Sequence, residues 1–409
     1  MRLVIDSGSP AFPAPIHVGY PWAGSKERFL EIVDGIFDDV WFTNNAKRVQ
    51  ELEGRIAELQ GVKHCIAVCN GTSALQIGLK AMDITGEVLM PSFTFVGTAH
   101  AAEWIGLTPV FCDIDPVTLT LDPEDVRRKM GPKVSCILPV NLFGNACEFD
   151  QLQAIADERG LRVLYDSAHA IGCKAGGMPI GGQGDMQILS FHATKIFHTF
   201  EGGALLTNDD VLAEKSRLMR NYGFVGYEEV EALGINAKMS EISAAYGLAS
   251  LEDLPMLISI NHRNHSLYEE RLSSIPGVQF LSPPAGMDSN HQYVTMLVDG
   301  GRFGMQRDTL YRLLWAENVR ARRYFSPGCH RLGPYRDMPE TTRGQLPVTE
   351  DIARRILCLP TGHAVDERMI DTICGLISEA SRRADDVKTW ESALMRRNSI
   401  QSVVTPTFA

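Results

Sequence analysis

The sequence of 409 residues predicts an α/β fold, with a large domain built on a mainly parallel sheet flanked by helices and a small C-terminal α+β domain after it. Three observations carry this. Short apolar runs recur from residue 64 to residue 207, amphipathic stretches with helical spacing separate them, and near residues 239 to 275 the helical period takes over.

Residues 1 to about 30 hold Pro10, Pro13, Pro15, Gly19, Pro21 and Gly24 and read as an irregular arm laid over a surface. A helix is expected from Ser25 towards Asp38, because Phe29, Ile32, Val33 and Ile36 recur at helical spacing. Trp41-Phe42-Thr43-Asn44-Asn45 follows as a loop with two readings. Its aromatic and amide groups suit a polar ligand, and the same residues suit a capped turn into a helix carrying Val49, Leu52, Ile56 and Leu59.

The expected strands are His64 to Cys69, Val88 to Met90, Pro109 to Asp113, Val134 to Pro139, Leu161 to Asp166, Met186 to Ser190 and Ala204 to Thr207. The large domain is placed at 1–255, including the arm, and the small domain at 256–385. Strand-like runs at Gln279 to Leu281, Tyr293 to Val298 and Val319 to Phe325 fall within the latter. Residues 386–409 read as a poorly ordered tail.

Composition narrows the function. A net charge of −11 opposes nucleic-acid binding, which needs a basic face to neutralise phosphates. The nine cysteines form no disulfide framework and no zinc-ligand spacing, so a reducing cytoplasm and no metal are expected. The N-terminus lacks the pattern of a signal peptide, and no apolar run approaches the ~20 residues of a membrane helix.

The candidate site is organised around Ser190-Phe191-His192-Ala193-Thr194-Lys195, with Glu201-Gly202-Gly203 beyond it. Lys195 sits among small polar residues just past an apolar run, which suits a lysine holding pyridoxal phosphate as an imine. Upstream, Asp166 ends an apolar strand, and Ser167-Ala168-His169 follows. A carboxylate there would keep the cofactor's ring nitrogen protonated, and a buried one needs a cation; taken alone, Asp166 reads better as a helix-capping or solvated aspartate. His169 is open between bonding the ring oxygen and packing at a helix start. Gly71-Thr72-Ser73 opens a helix after a strand, where amides and hydroxyls could hold a phosphate or simply cap the helix.

Together these stretches resemble the sugar aminotransferases of the DegT/StrS type, members of the fold-type I pyridoxal phosphate enzymes. The resemblance rests on Asn70 to Leu75, Pro91-Ser92-Phe93-Thr94-Phe95, Asp166 to His169, Gly184-Asp185, Ser190 to Lys195, Glu201-Gly202-Gly203 and Gly234 to Ser240, spanning roughly residues 25 to 385. It implies Lys195 as the Schiff-base lysine and proton shuttle, Asp166 on the pyridine nitrogen and His169 near the ring oxygen, with Phe95 stacked on the ring. It also implies Gly71, Thr72, Ser73 and Ser190 around the phosphate, which Asn236 reaches from a neighbouring subunit, so that a homodimer shares its active sites. Ile235, Ala237 and Lys238 depart from the usual pattern, as do Asn141 and Phe143, in a segment that often has histidine.

The reaction implied is transfer of an amino group from glutamate, through pyridoxamine 5'-phosphate, to a nucleotide-linked keto-deoxysugar. C4 of a dTDP-4-keto-6-deoxyhexose is expected, because Trp41 to Asn45 and Cys69 to Leu75 look most like members acting there. Trp41, Thr43 and Asn44 are the substrate contacts so assigned, with Tyr324; Arg320, Arg322 and Arg323 beside it could pair with the diphosphate or form a solvated basic turn. A C3-keto sugar and a keto-cyclitol are the alternatives within the reaction class. A pyridoxamine-dependent dehydratase is opposed by Lys195 itself, and a non-catalytic regulator by the lack of residues for a DNA-binding module.

Overall fold

The computed structural model describes residues 2–338 and 341–398. Its main sheet contains β1 (His64–Val68), β2 (Glu87–Pro91), β3 (Thr108–Cys112), β4 (Val134–Ile137), β5 (Arg162–Asp166), β6 (Met186–Ser190) and β7 (Gly203–Thr207). The spatial order is β1-β7-β6-β5-β4-β2-β3. Every pairing is parallel except those of β7, which runs antiparallel to both β1 and β6.

Both faces of this sheet are covered, which is why its strands read as apolar runs without alternation. Ile66, Val68, Val88 and Met90 face one core, while Cys65, Ala67 and Leu89 face the other side. Helix α1 (Lys26–Asp39) is capped by Ser25, whose hydroxyl accepts the Arg28 N–H. The next helix, α2 (Lys47–Gln60), lacks a cap of its own. The buried Glu241 carboxylate instead accepts the Arg48 and Val49 N–H groups at 2.8 and 3.2 Å, where a helix start favours negative charge.

The small domain is built on an antiparallel sheet, β8 (Val278–Leu281), β9 (Val294–Val298) and β10 (Ile356–Leu359), in the order β8-β9-β10. Strand β10 has no counterpart among the expected strands. It follows the helix Pro347–Arg355 without a turn, and four apolar residues cannot be told from another helical turn by period.

Two expected boundaries are corrected. The start of the arm belongs to the small domain, because Leu3 and Phe12 lie in one core with Tyr268, Leu313 and Ile373. Ile16 and His17 also pair in parallel with Val319 and Arg320. In the other direction, Cys329, Tyr335 and Leu346 pack into the core of the large domain, so no single cut separates the two units. The expected tail is helical up to Asn398: Ala384–Asn398 is a helix whose Val387 is fully buried and whose Glu391 carboxylate pairs with Arg312. Its i,i+3 charges, such as Lys388 with Asp385, decorate an amphipathic surface. Residues 399–409 of that tail lie outside the described residues.

Glu317 holds the arm. It is fully buried, and its two carboxylate oxygens accept the N–H groups of Val4 and Ala11. Glu317→Ala strands both amides and should cost ~1–3 kcal/mol in chemical denaturation. Limited proteolysis should then cut within residues 2–15, which the wild type protects.

Candidate active site

A cavity of about 310 Å³ opens beyond the carboxyl ends of β1, β5 and β6, the position at which open α/β sheets bind ligands. Gly71, Thr72, Phe95, Asp166, His169, Ser190, Lys195 and Tyr324 all border it.

Asp166 ends β5 and is 6% exposed. Its Oδ2 accepts the Thr98 hydroxyl at 2.8 Å and its Oδ1 the Ala168 N–H at 3.1 Å. No cation lies within ion-pair distance of it among the described residues. Burial pushes its carboxyl above the ordinary range, opposed by the bond from Thr98, the Ala168 amide and the charge of Lys195. A buried carboxylate held by two neutral donors is suited to a cation brought by a ligand.

Lys195 lies in the loop after β6, and its amine makes no hydrogen bond or ion pair among the described residues. Burial lowers it to about 8, with Asp166 pulling the other way. A lysine so poised has a substantial neutral, nucleophilic fraction near neutral pH.

At the opposite end is the start of α3 (Gly71–Ala81). Asn70, and neither Thr72 nor Ser73, is the capping residue: its Oδ1 accepts the Ser73 N–H at 2.8 Å. The Gly71 and Thr72 amides, in the first helical turn, have no intrahelical acceptor. The backbone is crowded here, since a Cβ on Gly71 would stand 3.1 Å from Ser190 Cβ, and one on Gly203 would stand 2.7 Å from Gly71 N. Free amides, the Thr72 and Ser190 hydroxyls and a helix N-terminus form a donor set for phosphate. The free amine, the unpaired carboxylate and this donor set together fit pyridoxal phosphate.

His169 lies three residues after Asp166, just beyond the end of the same strand. It borders the cavity, and its Nδ1 accepts the Phe143 N–H at 3.2 Å, which leaves the ring proton on Nε2, facing the Tyr293 hydroxyl at 3.5 Å. Burial, with the Lys195 charge adding, drives the imidazole well below its usual range, so it is neutral. Phe143 lies parallel to it at 6.1 Å, and Asn141 bonds Ser167 at 2.8 Å. Phe143 thus packs against His169, and Asn141 holds Ser167, two residues before it.

Other expected residues lie elsewhere in the chain. Ser73 is in the first turn of α3 but does not border the cavity, and its hydroxyl faces Cys69. Asn236 is exposed and bridges Asn221. Trp41, Thr43 and Asn44 are exposed as well, and Asn44 borders a separate cavity with Arg220 and Lys238. Asn44 and Asn45 adopt φ of 63° and 59°, a backbone demand that asparagine meets readily. Arg320 stacks on Trp315 and Arg323 pairs with Asp308. Arg322 lies with its guanidinium 6.0 Å above the Trp315 ring, away from the cavity.

The sequence reading missed Thr98, which orients Asp166, together with Tyr293, His192 and Phe325 as lining residues. Thr98 had a local signal in its spacing, four residues after Thr94 on the helix that starts at Val96, so that the two hydroxyls meet at 3.0 Å. Tyr293 and Phe325 come from the small domain and had none.

The apoprotein should capture pyridoxal phosphate with a pH–rate midpoint near 8 rather than the 10.5 of an ordinary lysine, because only the neutral amine reacts. In Asp166→Asn the midpoint should fall, since the carboxylate charge favours the ammonium. Stopped-flow absorbance across pH measures both.

Comparison with known proteins bears on the same residues. The chain is 36% identical over 363 residues to a dTDP-4-amino-4,6-dideoxy-D-glucose transaminase of Escherichia coli, covering 88% of this chain and 98% of that one. It is 35% identical to the protein of the same description from Shigella dysenteriae, covering 89% and 99%. Among solved structures it superposes on DesI, analysed in the presence of its TDP-sugar product, with a TM-score of 0.91, 44% identity and coverage of 95% of this chain and 99% of that chain. The model of the DegT/DnrJ/EryC1/StrS aminotransferase family matches residues 24–378, and with Lys195, Asp166 and the α3 N-terminus converging on one cavity, this chain belongs to that family.

Proposed function

We propose that this aminotransferase moves the amino group of glutamate to C4 of a 4-keto-6-deoxyhexose carried on a nucleoside diphosphate, with dTDP as the nucleotide. The observation that carries the reaction class is the free Lys195 amine in one cavity with the cation-seeking Asp166 carboxylate. The choice of sugar is supported by the similarity to proteins described as dTDP-4-amino-4,6-dideoxy-D-glucose transaminases.

Pyridoxal phosphate, when bound, supplies a carbonyl that accepts the amino group and a ring that withdraws electrons from the reacting carbon. Lys195 would hold it, and once its amine is released its Nζ takes the proton from the glutamate α-carbon and later delivers one to C4 of the acceptor, acid–base work worth ~10²–10⁴-fold. An amine near 8 serves both directions around neutral pH. Asp166, oriented by Thr98 and Ala168, would set its charge against the ring cation. Gly71, Thr72 and Ser190 would receive the phosphate, while Phe95, Tyr324 and Phe325 form an aromatic rim on the same cavity.

We further propose a homodimer with shared sites, in which Asn236 of a second copy reaches the phosphate. The face carrying Asn236 supports this. Trp41, Val40, Tyr227 and Leu233 are 56%, 72%, 104% and 86% exposed there, and the two segments are joined by Glu241 N–H to Phe42 O and by Arg220 to Asn45. Apolar groups in this concentration call for a partner surface. No helix among the described residues is long and apolar enough to cross a membrane. All nine cysteines are free, which supports the cytoplasm as the location.

Lys195→Ala should abolish glutamate-driven bleaching of the bound cofactor, and borohydride reduction of the wild type should fix the cofactor to Lys195 alone. Mixing Lys195→Ala with an impaired Asn236→Ala protein should restore activity through hybrid sites, and no recovery despite proven subunit exchange counts against sharing. On the 4-keto and 3-keto isomers of dTDP-6-deoxyglucose, kcat/KM should favour the former by at least about tenfold. The reverse preference would overturn the position of amination.

A further inference from the structure

The Tyr324–Phe325 side of the aromatic rim is delivered by the small domain, in the irregular segment after Val319–Arg320. Phe325 is its centre: it lies 6.3 Å from Phe95, and its ring is parallel to those of Phe143 and His169, at 6.2 and 6.1 Å. What fastens this segment to the large domain is a pair of buried polar residues that the reaction itself does not use.

Ser92 follows β2 and is fully buried, and His330 is 7% exposed. The Ser92 carbonyl accepts the Cys329 N–H at 2.8 Å, and Ser92 Oγ accepts the His330 N–H at 3.1 Å. Ser92 Oγ also lies 2.6 Å from His330 Nδ1. Burial keeps the imidazole neutral, and Glu350, a carboxylate that can only accept, faces Nε2 at 3.4 Å; the ring proton therefore sits on Nε2, and Nδ1 accepts the Ser92 hydroxyl. The fit is close: Gly328 has φ of 92°, and a Cβ there would stand 3.1 Å from His330 Nδ1 and 3.2 Å from Ser92 Oγ.

The same stretch, Ser92 to Phe95, carries Thr94, which meets Thr98 beside Asp166, and then Phe95 on the rim. The Ser92–His330 contact therefore sets Phe325 relative to Phe95. Lys195 is delivered separately, by the loop after β6, so loosening the contact leaves the amine in place.

We propose that Ser92 and His330 are positioning residues that set the gap between Phe95 and the Tyr324–Phe325 rim, and so govern recognition of the sugar nucleotide rather than the exchange with glutamate. This rests on the nucleotide-sugar reading above. The pair fits the acceptor's span because the rim lies at the mouth of the cavity, whereas the proton-transfer groups lie on its floor.

The test compares His330→Leu, Ser92→Ala and His330→Asn, the last retaining an acceptor where Nδ1 stands. The glutamate half-reaction is followed by cofactor absorbance, and the acceptor half-reaction with dTDP-4-keto-6-deoxyglucose. In His330→Leu and Ser92→Ala the KM for the acceptor should rise about tenfold, the glutamate half-reaction should stay within about twofold, and His330→Asn should recover most of the loss. Equal losses in both half-reactions, or an unchanged acceptor KM, overturn the proposal. Fluorine NMR of protein labelled with 3-fluorotyrosine, the Tyr324 signal assigned through Tyr324→Phe, is the independent readout. That signal should shift or broaden in His330→Leu and Ser92→Ala, and an unchanged signal overturns the proposal. Should the wild type act on no sugar nucleotide, the reading of the substrate fails while the fluorine signal still decides the role of the pair.

Discussion

The close approach of Gly203 to the Asn70–Gly71 backbone is the constraint on which the site depends. Strand β7 returns antiparallel between β1 and β6, and this reversal sets the end of β6 beside the end of β1. A Cβ at Gly203 would stand 2.7 Å from both Asn70 C and Gly71 N, distances that real side chains do not show. Only a residue without a side chain lets the two strand ends meet there. Ser190 then faces the start of α3, and Lys195 follows into the same cavity.

Within that cavity, burial acts on three titratable groups at once. It raises Asp166, lowers Lys195 and lowers His169. Asp166 and Lys195 partly offset each other's desolvation through their charges, while the Lys195 charge further disfavours protonation of His169. The result is a neutral imidazole, a carboxylate without a cation of its own, and an amine poised near 8. An arrangement of this kind gains from a ligand that brings a positive ring nitrogen and a phosphate, because each supplies charge that the chain has left uncompensated.

The two domains interlock rather than abut. The arm crosses to the small domain and is held by Glu317, while Cys329 and Tyr335 return to the large one. Asp113, just beyond β3, accepts the Val348 and Thr349 N–H groups at 3.0 and 2.7 Å and so anchors the helix leading into β10. With the Ser92–His330 contact, these links fix Tyr324 and Phe325 of one domain against Phe95 of the other.

The sheet was legible in the sequence because a doubly covered parallel sheet demands continuous apolar strands, and each of the seven carries that mark. Asp166 and Lys195 were legible for a related reason, since a charged residue closing an apolar run has few purposes, and the order of the motifs added the family resemblance. The start of the arm, β10 and the terminal helix were misplaced or missed because their assignment depends on which core receives Leu3, Leu357 and Val387, and local spacing does not encode that. Likewise Tyr293 and Phe325 join the site, and Arg320 and Arg323 are withdrawn into contacts with Trp315 and Asp308, only through long-range packing. The sequence by itself determined the seven strands of the main sheet and singled out Asp166 and Lys195, because these follow from period and from the cost of burying charge. The tertiary structure alone decided which side chains share a cavity, because that depends on strand order and on the few close backbone contacts that glycine permits.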